Sequence, residues 1–475
     1  MKFVIHIGCI LAVLFLHFSE SYAQRESDAL KKLTTAIEKE IGGREFASAL
    51  AAVEIADVRT GKILFSSNTQ LLLRPASNAK LFTSAAALLT LPDTAAFQTR
   101  LSRIPEAPGT LFCIAGGDPL FSVNDVRVML DQAQANGVQF VDTLILDGGR
   151  FDAAAYGEGW MWDDETSTFQ VPISAFCIER NIFTISIKQS SIFVDSLEVT
   201  VFPETKYIEW IHDAKASEFS VTKIPRSNTI VISGMPGGKS SSTHRIPMWS
   251  PKEIFADVLA RSLRTSGMAD SSLVVFFGAA PSRTHETAAI HRHLDEVLAA
   301  CNKRSDNLAA EMLLRLLGMH AGEHASARDG LAAMKNAFAL QGLGVGAISL
   351  VDGSGISFYN LVTVATLGRV LRLMAAHSTF ERFRSSLAIG GTDGTLRTRM
   401  SSVPRARFFQ GKTGTIRGVS TLAGYVQAPG GRLLTVVLFM QNFSGPHRPY
   451  RIVQDRIVRH CLDYSASPAA VRAPR

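Results

Sequence analysis

The stretch that decides the fold is Arg74-Pro75-Ala76-Ser77-Asn78-Ala79-Lys80-Leu81-Phe82-Thr83-Ser84-Ala85-Ala86-Ala87-Leu88-Leu89. Its alanines and leucines predict a buried helix, because these residues favour helices and carry almost no polar groups. Pro75 suits the approach to a helix, and Pro92 ends it. Ser77 and Lys80 are three residues apart, so they share one face about one turn from each other. A hydroxyl beside an amine at a buried helix start is a candidate nucleophile with its base.

A serine and a lysine at this spacing also occur in many proteins as an ordinary helix cap and a solvated lysine. Two later stretches favour the catalytic interpretation over this alternative. Ser305-Asp306-Asn307 opens another predicted helix, and Lys412-Thr413-Gly414-Thr415 lies in a strand-like run. S-x-x-K, S-D-N and K-T-G form the signature set of the β-lactamases and penicillin-binding proteins. All three occur here in that order, so the sequence resembles an active-site serine enzyme of this group.

Length and composition are those of a multidomain globular protein. The 475 residues suffice for about three domains of roughly 150 residues each, and a hydrophobic content of 46% allows a substantial core. The net charge of +7 is modest and no basic tract contains interleaved aromatic residues, so nucleic acid is not a predicted partner. The cysteines and histidines lack metal-ligand spacing, so neither a metal nor another cofactor is predicted.

The N-terminus predicts export to the periplasm or beyond. Lys2 precedes an apolar run from Phe3 to Phe18, and small residues up to Ala23 offer a cleavage site, so residues 1–23 read as a signal peptide. The run is shorter than the ~20 residues of a membrane span, and no transmembrane segment is expected after its removal. Four cysteines remain in apolar company and are expected to be buried free thiols, although their pairing is left open: Cys113, Cys177, Cys301 and Cys461.

The motifs divide the chain into an outer and a middle part. All three fall in residues 24–95 and 288–475, while residues 96–287 change pattern. The middle part begins with a strand-like run from Gln98 to Ile114, and short alternating runs at about 190–245 indicate a small β-rich unit. We predict an α+β fold. Its catalytic domain is of the penicillin-binding-protein/β-lactamase type, an antiparallel sheet flanked by helices, and carries a large inserted domain with a smaller nested β-rich domain.

The chemistry predicted from the motifs is acyl transfer. Ser77 attacks a carbonyl carbon, and Lys80 can accept its proton if burial or a neighbouring cation keeps the lysine neutral. Ser305 can relay a proton to the departing amine. Asp306, between the two other residues of its motif, is expected only to cap its helix.

The substrate is predicted to bind along the strand that carries the K-T-G motif. An oxyanion requires preorganised N–H groups, which Ser77 and Thr415 can supply. A peptide can lie along the strand edge as an added strand. Lys412, Thr413 and Thr415 can then hold a terminal carboxylate.

Taken with further segments, the motifs resemble the D-alanyl-D-alanine carboxypeptidase/endopeptidase family, the low-molecular-mass class C penicillin-binding proteins. The segments are Asp352-Gly353-Ser354-Gly355, Gly391-Thr392-Asp393-Gly394-Thr395-Leu396 and Ser420-Thr421-Leu422-Ala423-Gly424-Tyr425. The resemblance covers essentially the whole mature chain, and the long gap from residue 77 to residue 305 matches the family's insertion.

This resemblance implies a serine-type hydrolase that forms an acyl-enzyme at Ser77. Its implied partners are peptidoglycan stem peptides and cross-links, which it cleaves, and β-lactam antibiotics, which it binds. The family's roles fall on Lys80 as the base, on Ser305 and Asn307 as proton relay and substrate contact, and on Lys412 as carboxylate anchor. The sequence leaves open which activity dominates, which residue occupies the third stem position and whether the chain forms a homodimer.

The resemblance also suggests a specificity residue in the middle part. Asp164 lies in Trp160-Met161-Trp162-Asp163-Asp164, similar to the family's segment in which an aspartate contacts the amino end of the stem's diamino acid. A surface carboxylate in a polar loop is the alternative, and Asp163 is a weaker candidate. Phe358 replaces the family's arginine after the Gly-Ser-Gly turn, so discrimination by the distal carboxylate is expected to be weak.

Two other functions fit the same motifs. A β-lactamase needs a group that activates the deacylating water, and no convincing equivalent of the class A glutamate occurs. A non-catalytic wall-binding protein on the same fold would not need its motif residues, yet all are present. Labelled penicillin separates the three functions. It should give a long-lived adduct with the peptidase, rapid turnover with a β-lactamase and no adduct with a non-catalytic protein.

Overall fold

The computed structural model describes residues 24–190, 196–237, 241–322, 324–344, 346 and 348–465, so the predicted signal peptide lies outside the described residues. The helices are α1 (24–41), α2 (Ala79–Thr90), α3 (Val123–Ala135), α4 (Pro251–Thr265), α5 (Leu294–Lys303), α6 (Asn307–Ala321), α7 (Ala327–Leu340), α8 (Val364–Ala376), α9 (Phe380–Ser385) and α10 (Arg448–Leu462). The strands are β1 (Leu50–Asp57), β2 (Ile63–Ser67), β3 (Ala96–Arg103), β4 (Thr110–Ile114), β5 (Thr143–Asp147), β6 (Ile182–Gln189), β7 (Leu197–Phe202), β8 (Glu209–Asp213), β9 (Ser220–Lys223), β10 (Thr229–Ser233), β11 (Ser242–Pro247), β12 (Val274–Phe277), β13 (His285–His293), β14 (Ile348–Ser349), β15 (Leu361–Val362), β16 (Ala388–Ile389), β17 (Phe409–Ile416), β18 (Val419–Gln427) and β19 (Leu433–Gln441).

The largest sheet is antiparallel, in the order β16-β17-β18-β19-β1-β2, and joins strands from both ends of the chain. Its strand β19 is apolar almost throughout because both of its faces are covered. Val437 and Phe439 enter the core that contains α2 and α8, whereas Val436 and Leu438 enter the core that contains α1 and α10. The two-residue period of a strand thus supplies side chains to two helical layers.

The helix predicted from the opening stretch is α2, and it lies at the centre of the first core. Every residue from Ala79 to Leu88 is buried. A 3₁₀ turn at Ala76–Asn78 leads directly into it, so the candidate nucleophile lies at the mouth of the helix. The alanines leave room for α5, α6, α7 and α8, all of which pack against α2.

A second sheet of five strands, in the order β12-β5-β4-β3-β13, belongs to the middle of the chain. A hydrophobic core of its own, composed of residues 101–288, covers it. β3 follows α2, and β13 pairs with β3 before leading into α5, so the chain leaves and re-enters the motif region on adjacent strands. The pairing of β13 with β3 continues to His293, past the predicted domain boundary at residue 287. The division into a catalytic and an inserted domain stays a prediction.

The predicted β-rich unit coincides with short strands. β8, β10 and β9 form one three-stranded sheet, and β11, β6 and β7 form another. The second sheet includes β6, which begins at Ile182, ahead of the predicted limit of about 190. The predicted run from Gln98 to Ile114 is instead two strands, because Pro105, Pro108 and Gly109 interrupt it.

Part of the middle segment also packs against the motif region. Phe97, Val171, Ile173 and Cys177 join the core that contains α2. In the described part of the chain, no helix is long and apolar enough to cross a membrane. The four cysteines beyond the predicted signal are buried free thiols.

Candidate active site

Ser77 lies in a tightly held turn. Thr421 on β18 donates its hydroxyl to the carbonyl oxygen of Pro75 at 2.8 Å. Gly355 has φ +82°, and a Cβ there would lie 1.9 Å from the Ala76 carbonyl oxygen. Ala76 itself has φ +45°, a conformation that costs a non-glycine residue of order 1–3 kcal/mol. The neighbouring elements therefore impose the conformation that presents Ser77.

Lys80 lies directly behind Ser77. Its Nζ is 3.1 Å from Ser77 Oγ, and it donates to Asn307 Oδ1 at 2.6 Å and to the Ser354 carbonyl oxygen at 2.5 Å. The side chain is fully buried. Burial lowers the pKa of Lys80, although nearby negative groups, among them Asp352, partly oppose this.

The S-D-N motif occupies the connection between α5 and α6, as predicted. Ser305 has φ +59°, and Asp306 caps α6 by accepting the amide of Ala309 at 3.0 Å. Asp306 also pairs with Arg180 of the middle segment. Asn307 begins α6 and donates its Nδ2 to the carbonyl oxygen of Phe169 at 2.6 Å. The middle segment therefore contacts two of the three motif residues.

The K-T-G motif lies on β17, as predicted. Lys412 Nζ donates to Ser305 Oγ at 2.8 Å and to the Thr413 carbonyl oxygen at 2.7 Å. Lys412 is fully buried, and burial followed by the charge of Lys80 holds its pKa well below the ordinary value. β16 pairs with β17 only at Gln410 and Gly411, so in the described chain no strand covers the β17 edge beyond them.

Gly414 explains why the middle of this motif is a glycine. A Cβ at this position would lie 2.1 Å from Thr421 Oγ1 and 3.0 Å from the amide nitrogen of Ser77. The absence of a side chain lets β17 approach the turn that contains Ser77.

A cavity of about 630 Å³ opens over these residues. Six of the predicted site residues line it: Ser77, Asp164, Ser305, Asn307, Thr413 and Thr415. Lys80 and Lys412 do not line it and instead lie behind Ser77 and Ser305, to which they hydrogen-bond. The structure thus brings every predicted site residue to one place, with the lysines in a layer beneath the serines.

The loop that carries Asp164 is hydrogen-bonded to the motif region. Trp160 donates its indole N–H to Asp352 Oδ2 at 3.0 Å, and Asp352 is fully buried. Both Asp163 and Asp164 line the cavity, as does Phe358. Partial burial, followed by the charge of Asp163, raises the pKa of Asp164.

Glu311 is a site residue that sequence reasoning missed. It is fully buried and accepts the amides of Gly353 and Ser354 at 3.0 and 2.9 Å. It therefore orients the turn whose Ser354 carbonyl accepts from Lys80. Burial raises the pKa of Glu311 to about 7. The available signal was the pair Glu311 and Arg315, four residues apart on an otherwise apolar helix.

The three motifs meet at one cavity beside the antiparallel sheet, as the sequence predicted. The chain belongs to the D-Ala-D-Ala carboxypeptidase 3 (S13) family, whose model matches residues 33–459. The resemblance inferred from the motifs is thereby confirmed at the level of the family.

Individual relatives agree with this assignment. A D-alanyl-D-alanine carboxypeptidase from an Actinomadura species is 28% identical, covering 97% of this chain and 90% of that protein. The crystal structure of penicillin binding protein 4 from Haemophilus influenzae superposes with a TM-score of 0.76 at 24% identity, covering 89% of this chain and 97% of that one. The structure of that protein complexed with a β-lactam gives a TM-score of 0.70 at 22% identity, over the same shares of both chains. The likeness confirms the predicted α+β fold.

Proposed function

We propose that this chain is an exported serine-type D-Ala-D-Ala carboxypeptidase and DD-endopeptidase, which acts on peptidoglycan stem peptides and cross-links through an acyl-enzyme at Ser77. The observation that carries the proposal is the environment of Lys80. A neutral amine has two N–H groups, and two acceptors, Asn307 Oδ1 and the Ser354 carbonyl, lie at 2.6 and 2.5 Å. Its lone pair is then left for the Ser77 hydroxyl at 3.1 Å.

Acylation follows from this arrangement. Ser77 Oγ attacks the carbonyl carbon of the penultimate D-alanine while its proton passes to Lys80 Nζ. The direction of the pKa shift of Lys80 supports this role, because burial lowers the pKa and so favours the neutral amine. The amide nitrogens of Ser77 and Thr415 are the proposed donors to the oxyanion.

Departure of the leaving group involves the second serine–lysine pair. The proton that Lys80 took from Ser77 passes through Ser305, whose Oγ accepts a hydrogen bond from Lys412 at 2.8 Å, to the leaving amine, and the C–N bond breaks. The relay leaves Ser305 with its hydroxyl and Lys80 neutral again. Water then hydrolyses the ester, which restores the Ser77 hydroxyl and releases the shortened peptide. Asn307 both contacts Lys80 and lines the cavity, which suits a substrate contact.

The edge of β17 is the proposed binding surface for the peptide. Thr413 and Thr415 line the cavity there, and Asp164 lines it from the middle segment. An extended peptide can pair with this edge and place its side chains in the cavity. Penicillin is an amide that acylates the same serine, and its binding by this chain is part of the proposal. The pattern of residues 1–23 supports export.

Purified mature protein tests the proposal with labelled penicillin and with muropeptides. We expect a long-lived adduct that Ser77→Ala abolishes, together with release of D-alanine or cleavage of cross-links. Rapid turnover of the adduct would indicate a β-lactamase, and the absence of both adduct and products would indicate a non-catalytic protein. Product analysis by mass spectrometry then separates carboxypeptidase from endopeptidase cleavage.

A further inference from the structure

The active-site cavity contains cations that the three motifs do not account for. Arg399, Arg417 and Arg451 line it together with His447. None of them belongs to S-x-x-K, S-D-N or K-T-G. They come from the connections on either side of β17 and from the start of α10.

Arg451 forms a hydrogen bond with a residue of the predicted carboxylate site. It lies in the first turn of α10 and donates to Thr415 Oγ1 at 3.2 Å. Arg399 is engaged elsewhere: it pairs with Asp455 and donates to the carbonyl oxygen of Arg451 at 3.2 Å, which supports the backbone there.

Unlike Arg399, Arg451 and Arg417 form no ion pair with a carboxylate in the described part of the chain. Among the described residues, neither has a carboxylate within the 4.0 Å of an ion pair. The charge of Asp455 acts on Arg451 without forming an ion pair with it, and the positive charge of Arg399 opposes that effect. Three arginines at the cavity with one carboxylate among them leave a net positive charge, which suits an anion because arginine matches the geometry of a carboxylate.

Lys412 is poorly placed to supply that charge. It is fully buried, does not line the cavity, and directs its amine to Ser305 Oγ and the Thr413 carbonyl oxygen. A substrate carboxylate would reach the hydroxyls of Thr413 and Thr415 before it reached this amine.

We propose that Arg451, assisted by Arg417, binds the free carboxylate at the leaving end of the substrate, and that Lys412 instead positions Ser305. The subsite is completed by the hydroxyls of Thr413 and Thr415. Its ligand is a peptide that ends in an unblocked α-carboxylate, or a β-lactam that carries the equivalent carboxylate. The inference rests on the proposed function and deepens it.

The test compares two peptides that end in D-Ala-D-Ala, one with a free carboxylate and one with a terminal amide. Arg451→Ala is expected to lower kcat/KM for the carboxylate peptide by about 10- to 100-fold, the range for a lost hydrogen bond to a charged group. The amide peptide should be almost unaffected. Arg451→Lys should retain part of the activity, and Arg417→Ala should show a smaller loss with the same selectivity.

Arg459→Ala is the matched control. Arg459 lies on the same helix, pairs with Asp463 at the surface and does not line the cavity. It should leave both peptides unchanged. An equal loss on both peptides in Arg451→Ala, or no loss on either, would overturn the inference while leaving the proposed function intact.

A binding measurement keeps the inference testable without turnover. In the Ser77→Ala background, calorimetry should show weaker binding of the carboxylate peptide when Arg451 is also replaced by alanine, and no such change for the amide peptide. Equal affinity of the carboxylate peptide with and without Arg451 would overturn the inference. Failure of the wild type to release D-alanine from the carboxylate peptide or D-alanine amide from the amide peptide would instead contradict the proposed function.

Discussion

Gly414→Ala is a small change that should damage acylation while sparing most of the fold. The added methyl group points at the turn that contains Ser77 and not into solvent. Its carbon would lie 2.1 Å from Thr421 Oγ1, 2.9 Å from the Pro75 carbonyl oxygen and 3.0 Å from the Ser77 amide nitrogen. Ordinary contact begins at 3.4 Å.

The size of the effect follows from these distances. With Thr421 fixed, β17 has to move by about 1.3 Å, and with Thr421 rotated away it still has to move by about 0.5 Å from the Pro75 carbonyl oxygen. Rotation also breaks the hydrogen bond from Thr421 to the Pro75 carbonyl oxygen. Misplacement of reacting groups by about 1 Å costs on the order of 10²-fold in rate, and overpacking of this kind costs about 1–3 kcal/mol of stability.

Stopped-flow acylation by a labelled penicillin and a thermal melt measure the two effects separately. We expect Gly414→Ala to acylate about 10²-fold more slowly and to remain folded. Gly278→Ala is the control, because its nearest neighbour, Ile145 Cγ2, would lie 3.8 Å from the new carbon. Acylation of Gly414→Ala at the wild-type rate would refute the claim that glycine is needed for the approach of β17 to Ser77.

Three further predictions concern the chemistry. Ser77→Ala should abolish both penicillin acylation and D-alanine release, whereas Ser305→Ala should retain weak acylation, reduced by ~10²–10⁴-fold; normal peptidase activity in Ser77→Ala would exclude the assignment. Because burial lowers the pKa of Lys80 and only the neutral amine accepts a proton, acylation should rise with pH about a midpoint below the ordinary lysine value of about 10.4; a pH profile with its midpoint at or above that value would contradict the role of Lys80. Pentapeptides that carry meso-diaminopimelate and lysine should have near-equal kcat/KM values, both lower in Asp164→Ala; a preference for diaminopimelate above ~100-fold, or roughly 2.7 kcal/mol, would contradict the proposed effect of Phe358.

The elements that carry the motifs could be predicted from sequence because their signals are local. The alanine- and leucine-rich run after Ser77 specifies α2 wherever it lies in the fold. Asp306 predicts the start of α6, because an aspartate at the N-cap accepts a hydrogen bond from a backbone N–H of the first turn. The hairpin of β18 and β19 was marked by Gly430 and Gly431 between two apolar runs.

Other parts of the molecule depend on contacts that are distant in sequence. β13 was not predicted, because His285–His293 is largely polar and becomes a strand only by pairing with β3. The cavity arginines were not predicted either. Arg451 is separated from Thr415 by 36 residues, and an arginine near the start of a C-terminal amphipathic helix normally reads as a solvated residue.

The middle segment contacts Lys80, the proposed base, through one amide. Asn307 has an oxygen that can accept and a nitrogen that can only donate. Because Nδ2 donates to the Phe169 carbonyl oxygen at 2.6 Å, Oδ1 faces Lys80 Nζ, from which it accepts at 2.6 Å. If the loop that carries Phe169 moved away, the amide could rotate and present its donor to Lys80, which would remove an acceptor from the amine. The segment that brings Asp164 to the cavity therefore also fixes, through Phe169, which atom of Asn307 faces Lys80.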